Sequence, residues 1–504
     1  MTNHLFDRLI GRDASAAPAL VTDGRIYVYA DLADETARWA NALAALGVKP
    51  GDRIAVQAEK SAEGLILYLA ALRAGAVFLP LNPAYTQVEL AYFIGDAEPA
   101  LIVCDPAARG GVAEIAGTAR VETLDRDGEG SLAGRARAPP ADFETIPRGP
   151  EDLAAICYTS GTTGRSKGAM LNHGALAANA ATLARIWRFT GDDVLIHALP
   201  IYHVHGLFVA THVSLMAGAS MILQPRFDPT QVLAAMPRAT ALMGVPTYYT
   251  RLLSHPGLNR EAASHMRLFI SGSAPLLAST HREWFERTGQ AILERYGMTE
   301  TGMNASNPYN GERVPGAVGP ALPDVELRIV HETSGEVLPT ATAGLVEVRG
   351  PNVFAGYWRN PEKTRAAFTT DGWFRTGDLG TIDARGYLRL IGRASDLIIT
   401  GGLNVYPAEV EAAIDAAPGV IESAVIGLPH GDLGEAVTAV VVRSDESLTE
   451  AAVLAALAER LARFKQPKRV LFAPNLPRNA MGKVVKAALR ETHAGLYGPA
   501  AAGP

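Results

Sequence analysis

Apolar runs of strand length alternate with amphipathic stretches of helix length through most of this chain. Arg53-Ile54-Ala55-Val56 reads as a strand and Gly64 to Gly75 as a helix, with further strands at Ala76 to Leu81 and Ala100 to Cys104. Val194 to Ala198, Ser220 to Leu223, Ala241 to Val245 and Leu268-Phe269-Ile270 continue the series. Parallel neighbours need a crossover, and a helix is the usual one, so the rhythm predicts an α/β fold of parallel sheets covered by helices. At 504 residues the chain exceeds what one hydrophobic core organises, which sets in near roughly 250–300 residues, and more than one domain is expected.

The texture changes twice. From Gly111 to Pro150 the pattern weakens into a Gly/Pro/Asp-rich stretch that reads as loop. After Gly311, short strands at Glu326 to Val330, Leu345 to Arg349 and Gly386 to Ile391 predict a small β-barrel or antiparallel sheet. After Asp396, strands and helices from Leu397 to Thr492 form a compact α+β unit. The expected division is an N-terminal domain 1–395 and a C-terminal domain 396–504.

Composition excludes some classes. A formal net charge of −6 offers no basic footprint for nucleic acid. The only cysteines, Cys104 and Cys157, sit in apolar strand-like runs and read as buried free thiols, which suits a reducing cytoplasm. The N-terminus lacks a signal-type apolar region, and the most apolar stretch, Gly64 to Leu81, is broken by Arg73 and Pro80, so no membrane span is expected.

The strand at Leu153 to Cys157 runs into Tyr158-Thr159-Ser160-Gly161-Thr162-Thr163-Gly164-Arg165-Ser166-Lys167-Gly168. Glycines let backbone N–H groups converge, and hydroxyls and cations add donors, which makes a polyphosphate cradle. The spacing differs from G-x-x-x-x-G-K-[ST], and a plain surface loop is the competing reading. Other polar clusters fall at strand ends, where open α/β sheets bind ligands. Ser271-Gly272-Ser273-Ala274-Pro275 follows one strand. Glu294-Arg295-Tyr296-Gly297-Met298-Thr299-Glu300 follows a short strand at Ala291 to Leu293. Thr376-Gly377-Asp378 reads as a tight turn.

With Pro200-Ile201-Tyr202-His203, Gly392-Arg393, Gly401-Gly402-Leu403-Asn404-Val405-Tyr406-Pro407 and Pro477 to Lys483, these segments resemble, in order and along nearly the whole length, the adenylate-forming superfamily of acyl-CoA synthetases, luciferases and adenylation domains. The resemblance implies that a carboxylate is joined to the α-phosphate of ATP and then passed to CoA. It places Thr159, Ser160, Gly161, Thr162, Thr163, Gly164 and Lys167 on the β- and γ-phosphates. Gly272, Ser273, Ala274, Pro275 and the segment Glu294, Arg295, Tyr296, Gly297 and Met298 fall to the nucleotide, with Thr299 on the α-phosphate. Asp378 and Arg393 fall to the ribose, Glu300 to Mg²⁺, and Gly401, Gly402 and Leu403 to CoA. Lys483 is implied as the catalytic cation, and Asp396 as a hinge about which the small domain rotates. Ser395 stands where relatives often carry lysine. From the residues alone, Lys483 reads either as that cation or as a solvated lysine at a helix N-terminus, where the dipole disfavours it.

The acyl site is more polar than a fatty-acyl pocket. His203 and His205, Arg282 in Thr280-His281-Arg282-Glu283-Trp284, and Met303, Asn304 and Ser306 fall there. Arg282 suits either a second carboxylate or a helical pair with Glu286 at i+4. These segments resemble the bacterial malonyl-CoA synthetases, which implies Arg282 and a histidine of 203–205, His203 also in a catalytic role, as partners of the distal carboxylate. Malonate is the expected acid and methylmalonate a second one. The alternatives are a ligase for another small, medium-chain or aryl acid, or a non-catalytic nucleotide sensor. The Pro-x-x-x-x-Gly-Lys text around Lys483 resembles sites of lysine acetylation, which implies an acetyltransferase as a partner.

Overall fold

The structure, a computed structural model, describes residues 2–11, 15–159, 166–401, 403–458, 460–479 and 482–498. It divides into two compact units, one of 1–326 with 348–374, the other of 327–347 with 375–504.

The first unit is built on two sheets. One has six strands in the spatial order Arg120–Thr123, Leu101–Cys104, Arg53–Gln57, Val77–Pro80, Leu153–Thr159 and Lys167–Asn172. All are parallel except the last, which returns antiparallel to Leu153–Thr159. The other runs Gly302–Ser306, Leu293–Met298, Leu268–Ser271, Ala241–Gly244, Val194–His197, Ser220–Leu223, Pro18–Val21 and Ile26–Val28, antiparallel only at its two ends.

Central strands read as continuous apolar runs because helices cover both faces. The helix Ala62–Arg73 is apolar nearly all round and buries ten of its twelve residues. Its start is capped by the Ser61 hydroxyl, which accepts from Gly64 N at 3.0 Å. The Gly111 to Pro150 stretch is more ordered than its text suggests. It takes in the end of a helix Arg109–Ile115, the edge strand Arg120–Thr123 and a helix Ser131–Ala136. An edge strand pairs on one side only, and Arg120-Val121-Glu122-Thr123 lacks the apolar run that marks a central one.

Two more sheets lie later in the chain. The expected small barrel is, among the described residues, an open four-stranded sheet in the order Glu326–Val330, Gly344–Arg349, Phe374–Ile382 and Leu388–Arg393. The last sheet orders Leu403–Val405, Ile398–Thr400, Gly434–Arg443 and Val420–His430, with Arg469–Phe472 parallel to Gly434–Arg443. Val410, Ile414, Val453 and Leu457, from the helices Pro407–Asp415 and Glu450–Ala458, pack on it. Both cysteines are buried free thiols. Among the described residues no helix is long and apolar enough to cross a membrane.

Candidate active site

The glycine-rich loop leaves one strand and enters the next, with Thr159 opposite Lys167 in register. Ser160, Gly161, Thr162, Thr163 and Gly164 lie outside the described residues. The rims of the loop are tethered. The Tyr158 hydroxyl donates to Asp96 Oδ2 at 2.6 Å, and the Tyr92 hydroxyl donates to the Ser166 carbonyl at 2.7 Å. The Lys167 ammonium lies 4.7 Å from the centroid of the Tyr357 ring.

Tyr357 also reaches Glu300. Its hydroxyl donates to Glu300 Oε1 at 3.0 Å, and Phe354 N donates to the Glu300 carbonyl at 2.8 Å. Glu300 is buried in the turn between Leu293–Met298 and Gly302–Ser306, so its carboxylate is held by its position and by this donor. The sequence reading missed Tyr357, which lies 57 residues from Glu300 in a Gly-Tyr-Trp segment with no chemical signature. Thr299 lines a narrow recess with Leu171, Asn179, Val204 and Phe208. Among the described residues no three His, Cys, Asp or Glu side chains cluster as metal ligands. Mg²⁺ typically takes one or two carboxylates with substrate phosphates and water, so a single hard oxygen donor such as Glu300 fits it.

The segment Glu294 to Met298 was expected as a loop after a short strand. It is itself strand, paired antiparallel with Gly302–Ser306. Alternation therefore splits its residues. Buried Glu294 accepts from Gly316 N at 3.0 Å and lies 3.1 Å from His281 Nδ1. Arg295 is 3% exposed and passes beneath Gly272, where any Cβ would collide with the guanidinium. Among the described residues its Nε and Nη2 have no hydrogen-bond partner, and burial pushes its pKa down to about 9.

His203 and His205 are in reach of the same charge. Burial first, and Arg295 second, push His203 down to about 4 and His205 well below the ordinary histidine range. His205 Nδ1 is 3.2 Å from Ser273 Oγ, while its Nε2 has no partner among the described residues. Ser273 holds φ +72°, in the left-handed region, two residues past the end of the strand Leu268–Ser271.

Other expected acyl-site residues are placed differently. Arg282 is exposed on the helix Ala278–Thr288, beside an open groove with Phe285, Glu286, Arg313 and Pro315. Among the described residues it makes no ion pair, so the pairing with Glu286 is not formed. The Ser306 hydroxyl accepts from Trp187 Nε1 at 2.9 Å and donates to the Asn307 carbonyl at 2.9 Å. Met303 is buried, with its backbone held by Asn179 from both sides. Ala274 and Pro275 follow Ser273 in the loop before the helix Ala278–Thr288.

The second unit carries the remaining residues. Thr376-Gly377-Asp378 is not a separate turn. It lies within Phe374–Ile382, with Asp378 in register with Arg393. Arg393 Nε donates to Asp378 Oδ1 at 2.7 Å, and Arg393 Nη1 donates to the Thr376 carbonyl at 3.2 Å. Asp396 closes a short turn and accepts from Arg490 Nη2 at 2.7 Å, a partner 94 residues away that sequence spacing does not reveal.

The final helix begins at Lys486, so Lys483 is not at its N-terminus. It sits in a tight loop, in which its N–H donates to Asn479 Oδ1 at 3.0 Å and Arg478 Nη1 donates to the Gly482 carbonyl at 2.6 Å. Lys483 keeps solvent access, yet its ammonium sits among Arg393, Asp378 and Asp396. Desolvation, then Arg393, hold its pKa below the usual lysine range, with the two aspartates opposing. Gly401 takes φ +56° and donates its N–H to the Leu433 carbonyl at 2.8 Å. Leu403 is about half exposed, and Gly402 lies outside the described residues.

Comparison with known proteins gives a consistent result. The family model of the AMP-binding enzymes matches residues 8–358, and that of the AMP-binding enzyme C-terminal domain matches 409–483. A feruloyl-CoA synthase of an Amycolatopsis species is 37% identical over 481 residues, 94% of this chain and 95% of that protein. A mitochondrial malonate–CoA ligase of Mus musculus is 35% identical over 511 residues, 93% of this chain and 87% of that protein. Among solved structures, ATP-bound MatB from Rhodopseudomonas palustris is 60% identical, covers 99% of this chain and 100% of its own, and superposes with a TM-score of 0.97.

Proposed function

The chain belongs to the AMP-binding enzymes, and from that premise we propose that it is a malonyl-CoA synthetase, an AMP-forming acid–thiol ligase that also accepts methylmalonate. ATP and CoA are its co-substrates. The observation that carries the choice of a diacid is the polar cluster of His203, His205 and Arg295 at the strand end beside Gly272 and Ser273, where a fatty or aryl acid would call for apolar groups.

A carboxylate is a poor acyl donor because its charge is delocalised and it has no good leaving group. In the first half-reaction a malonate oxygen attacks the α-phosphorus of ATP, the bond to the β-bridging oxygen breaks, and pyrophosphate leaves. Lys167 and the hydroxyls of Thr159, Ser160, Thr162 and Thr163 hold the departing phosphates, with Gly161 and Gly164 freeing backbone N–H groups. Thr299 holds the α-phosphate. Glu300 holds Mg²⁺, which when bound neutralises phosphate charge. Lys483 stabilises the oxygens that gain charge. Its depressed pKa and its nearness to Asp378 and Arg393 support a role beside the nucleotide.

In the second half-reaction the CoA thiol attacks the acyl carbon of malonyl-adenylate. The mixed anhydride breaks, AMP leaves and the thiol proton is released. We place the nucleotide on Gly272, Ser273, Ala274, Pro275 and Tyr296, its ribose on Asp378 and Arg393, and CoA along Gly401, Gly402 and Leu403. The domains 1–395 and 396–504 exchange these roles by rotation at Asp396. Acetylation of solvent-accessible Lys483 removes its charge and stops the first half-reaction; full adenylation by protein acetylated at Lys483 would refute this.

The test is a pyrophosphate-release assay with ATP, CoA and malonate, methylmalonate, acetate, octanoate or ferulate. Malonate gives the highest kcat/KM and methylmalonate follows. A higher value for octanoate or ferulate overturns the assignment to malonate.

A further inference from the structure

Lys60 lies just past the end of the strand Arg53–Gln57 and is 6% exposed. Burial pushes its pKa well below the usual lysine range, with no carboxylate of the described residues opposing the shift. Burying such a group is costly unless its hydrogen bonds are met. All of its polar contacts fall on one short segment. Nζ donates to the carbonyls of His197 and Leu199 at 2.6 and 2.9 Å and lies 2.8 Å from His197 Nδ1. Here the strand Val194–His197 ends and the chain turns toward His203 and His205. Past a strand end, backbone carbonyls must find partners outside the ladder. Side chains supply them: Lys60 takes Leu199, and the Tyr248 hydroxyl donates to the Ala198 carbonyl at 3.1 Å.

The contact continues through the His197 ring. Its Nε2 lies 3.0 Å from the Gly206 carbonyl, which can only accept. Nε2 therefore carries the ring proton, and Nδ1 accepts from the Lys60 amine. Gly206 belongs to a wide helical turn, His205–Ala210, in which Thr211 N donates to the Gly206 carbonyl five residues back. Turns of this kind are rare and recur at functional sites. The same carbonyl accepts from the Thr211 hydroxyl at 3.0 Å. Gly206 packs so closely on the Pro200 carbonyl that any Cβ would collide with it. The segment 199–206 is thus folded back on itself and pinned at both ends, by Lys60 at Leu199 and by His197 at Gly206. His203 and His205 lie within that clasp. Leu207 N donates to the His203 carbonyl at 2.9 Å, and His205 Nδ1 lies 3.2 Å from Ser273 Oγ. Lys60 follows a strand of the six-stranded sheet and His197 ends a strand of the eight-stranded one, so the clasp is anchored to both.

We propose that Lys60 is a positioning residue for the acyl site: through the His197 ring and the Gly206 carbonyl it fixes where His203 and His205 stand, and so sets how tightly the acid is held without touching it. The proposal rests on the diacid reading above, which assigns the two histidines to the acid.

The test measures steady-state constants for malonate and for ATP in Lys60→Met and His197→Phe, which remove the polar contacts at similar volume, and in the double variant. Tyr29→Phe is the control. It loses a buried hydrogen bond of 2.8 Å to the Ala219 carbonyl, which precedes the far end of the neighbouring strand Ser220–Leu223. In Lys60→Met the KM for malonate rises at least about tenfold, because a small misplacement remote from the chemistry can cost up to about a hundredfold. The KM for ATP and kcat each change less than about threefold, the pattern of lost acid binding. His197→Phe behaves alike, and the double variant loses no more than either single one, because members of one network are not additive. Tyr29→Phe melts lower and keeps the malonate KM. An unchanged malonate KM in Lys60→Met overturns the proposal, as do equal rises for malonate and ATP, or additive losses in the double variant. If neither Lys60→Met nor His197→Phe folds, both residues are structural and the proposal fails. If the wild type turns over another acid in place of malonate, the diacid reading fails instead, and the same KM comparison with that acid decides the role of Lys60.

Discussion

Tyr357 donates its hydroxyl to Glu300 Oε1 across 3.0 Å, and the face of the same ring lies 4.7 Å from the Lys167 ammonium. One aromatic side chain thus braces both the anion assigned to Mg²⁺ and the cation assigned to the phosphates. Glu300→Gln lowers kcat/KM about a hundredfold and raises the Mg²⁺ concentration for half-maximal rate. Tyr357→Phe keeps the ring under Lys167 and removes one donor, so its effect stays below about tenfold. Mg²⁺ titration of pyrophosphate release checks both, and an unaltered titration in Glu300→Gln removes Glu300 from the metal site.

The role proposed for Lys483 is separable. Lys483→Ala loses adenylation by at least about a hundredfold, as expected when a charge-stabilising group is removed. Thioester formation from supplied malonyl-adenylate stays near the wild-type rate. The half-reactions are measured separately, and equal loss in both contradicts the assignment.

Asp415 predicts a pH dependence of stability. Burial, and then the neighbouring Glu411 and Glu422, push its carboxyl up to about 7, against a hydrogen bond from Ser423 Oγ at 2.7 Å. Between about pH 4 and pH 7 the folded state therefore holds a proton that the unfolded state releases, and stability falls as pH rises through this window. Below it both states are protonated and the difference disappears. Asp415→Asn removes the slope and gains about 2 kcal/mol near pH 8. Melting temperatures across pH 5 to 8 report it; parallel curves for variant and wild type rule out Asp415 as the source.

Lys60 is a buried amine whose pKa burial pushes well below the usual lysine range. Its Nζ donates to the carbonyls of His197 and Leu199 at 2.6 and 2.9 Å and lies 2.8 Å from His197 Nδ1. His197 Nε2 in turn lies 3.0 Å from the Gly206 carbonyl, at the start of the helical turn that carries His205. Lys60→Met leaves the Leu199 carbonyl without its donor, while the His197 carbonyl keeps Gln224 N at 3.1 Å, and costs about 1–3 kcal/mol. A fall in denaturant midpoint measures this, and an unchanged midpoint means that water or local shift replaces the ammonium.

The alternating sheets, the order of the motifs and the C-terminal α+β unit were legible because each depends on local periodicity or on residues close in sequence. The strand at Ser220–Leu223 matches its text to the residue. The polar strands were not legible. Glu294 to Met298 and Thr376 to Asp378 lack an apolar run, and their strand character comes from partners that sequence does not name. Arg120–Thr123 was lost for the same reason at a sheet edge.

Residue chemistry alone pointed to a polyphosphate loop, and the order of the motifs around Lys167, Glu300, Asp378 and Lys483 carried the resemblance that implies activation of a carboxylate on ATP. Which of two arginines is buried and which exposed was decided only by the tertiary structure. Arg282 and Arg295 are equivalent as letters, thirteen positions apart. Helix geometry leaves one in water, where its charge is screened, while strand alternation and a glycine opposite bury the other without a partner. The strength of a charge depends on its dielectric surroundings, and those exist only once the chain has folded.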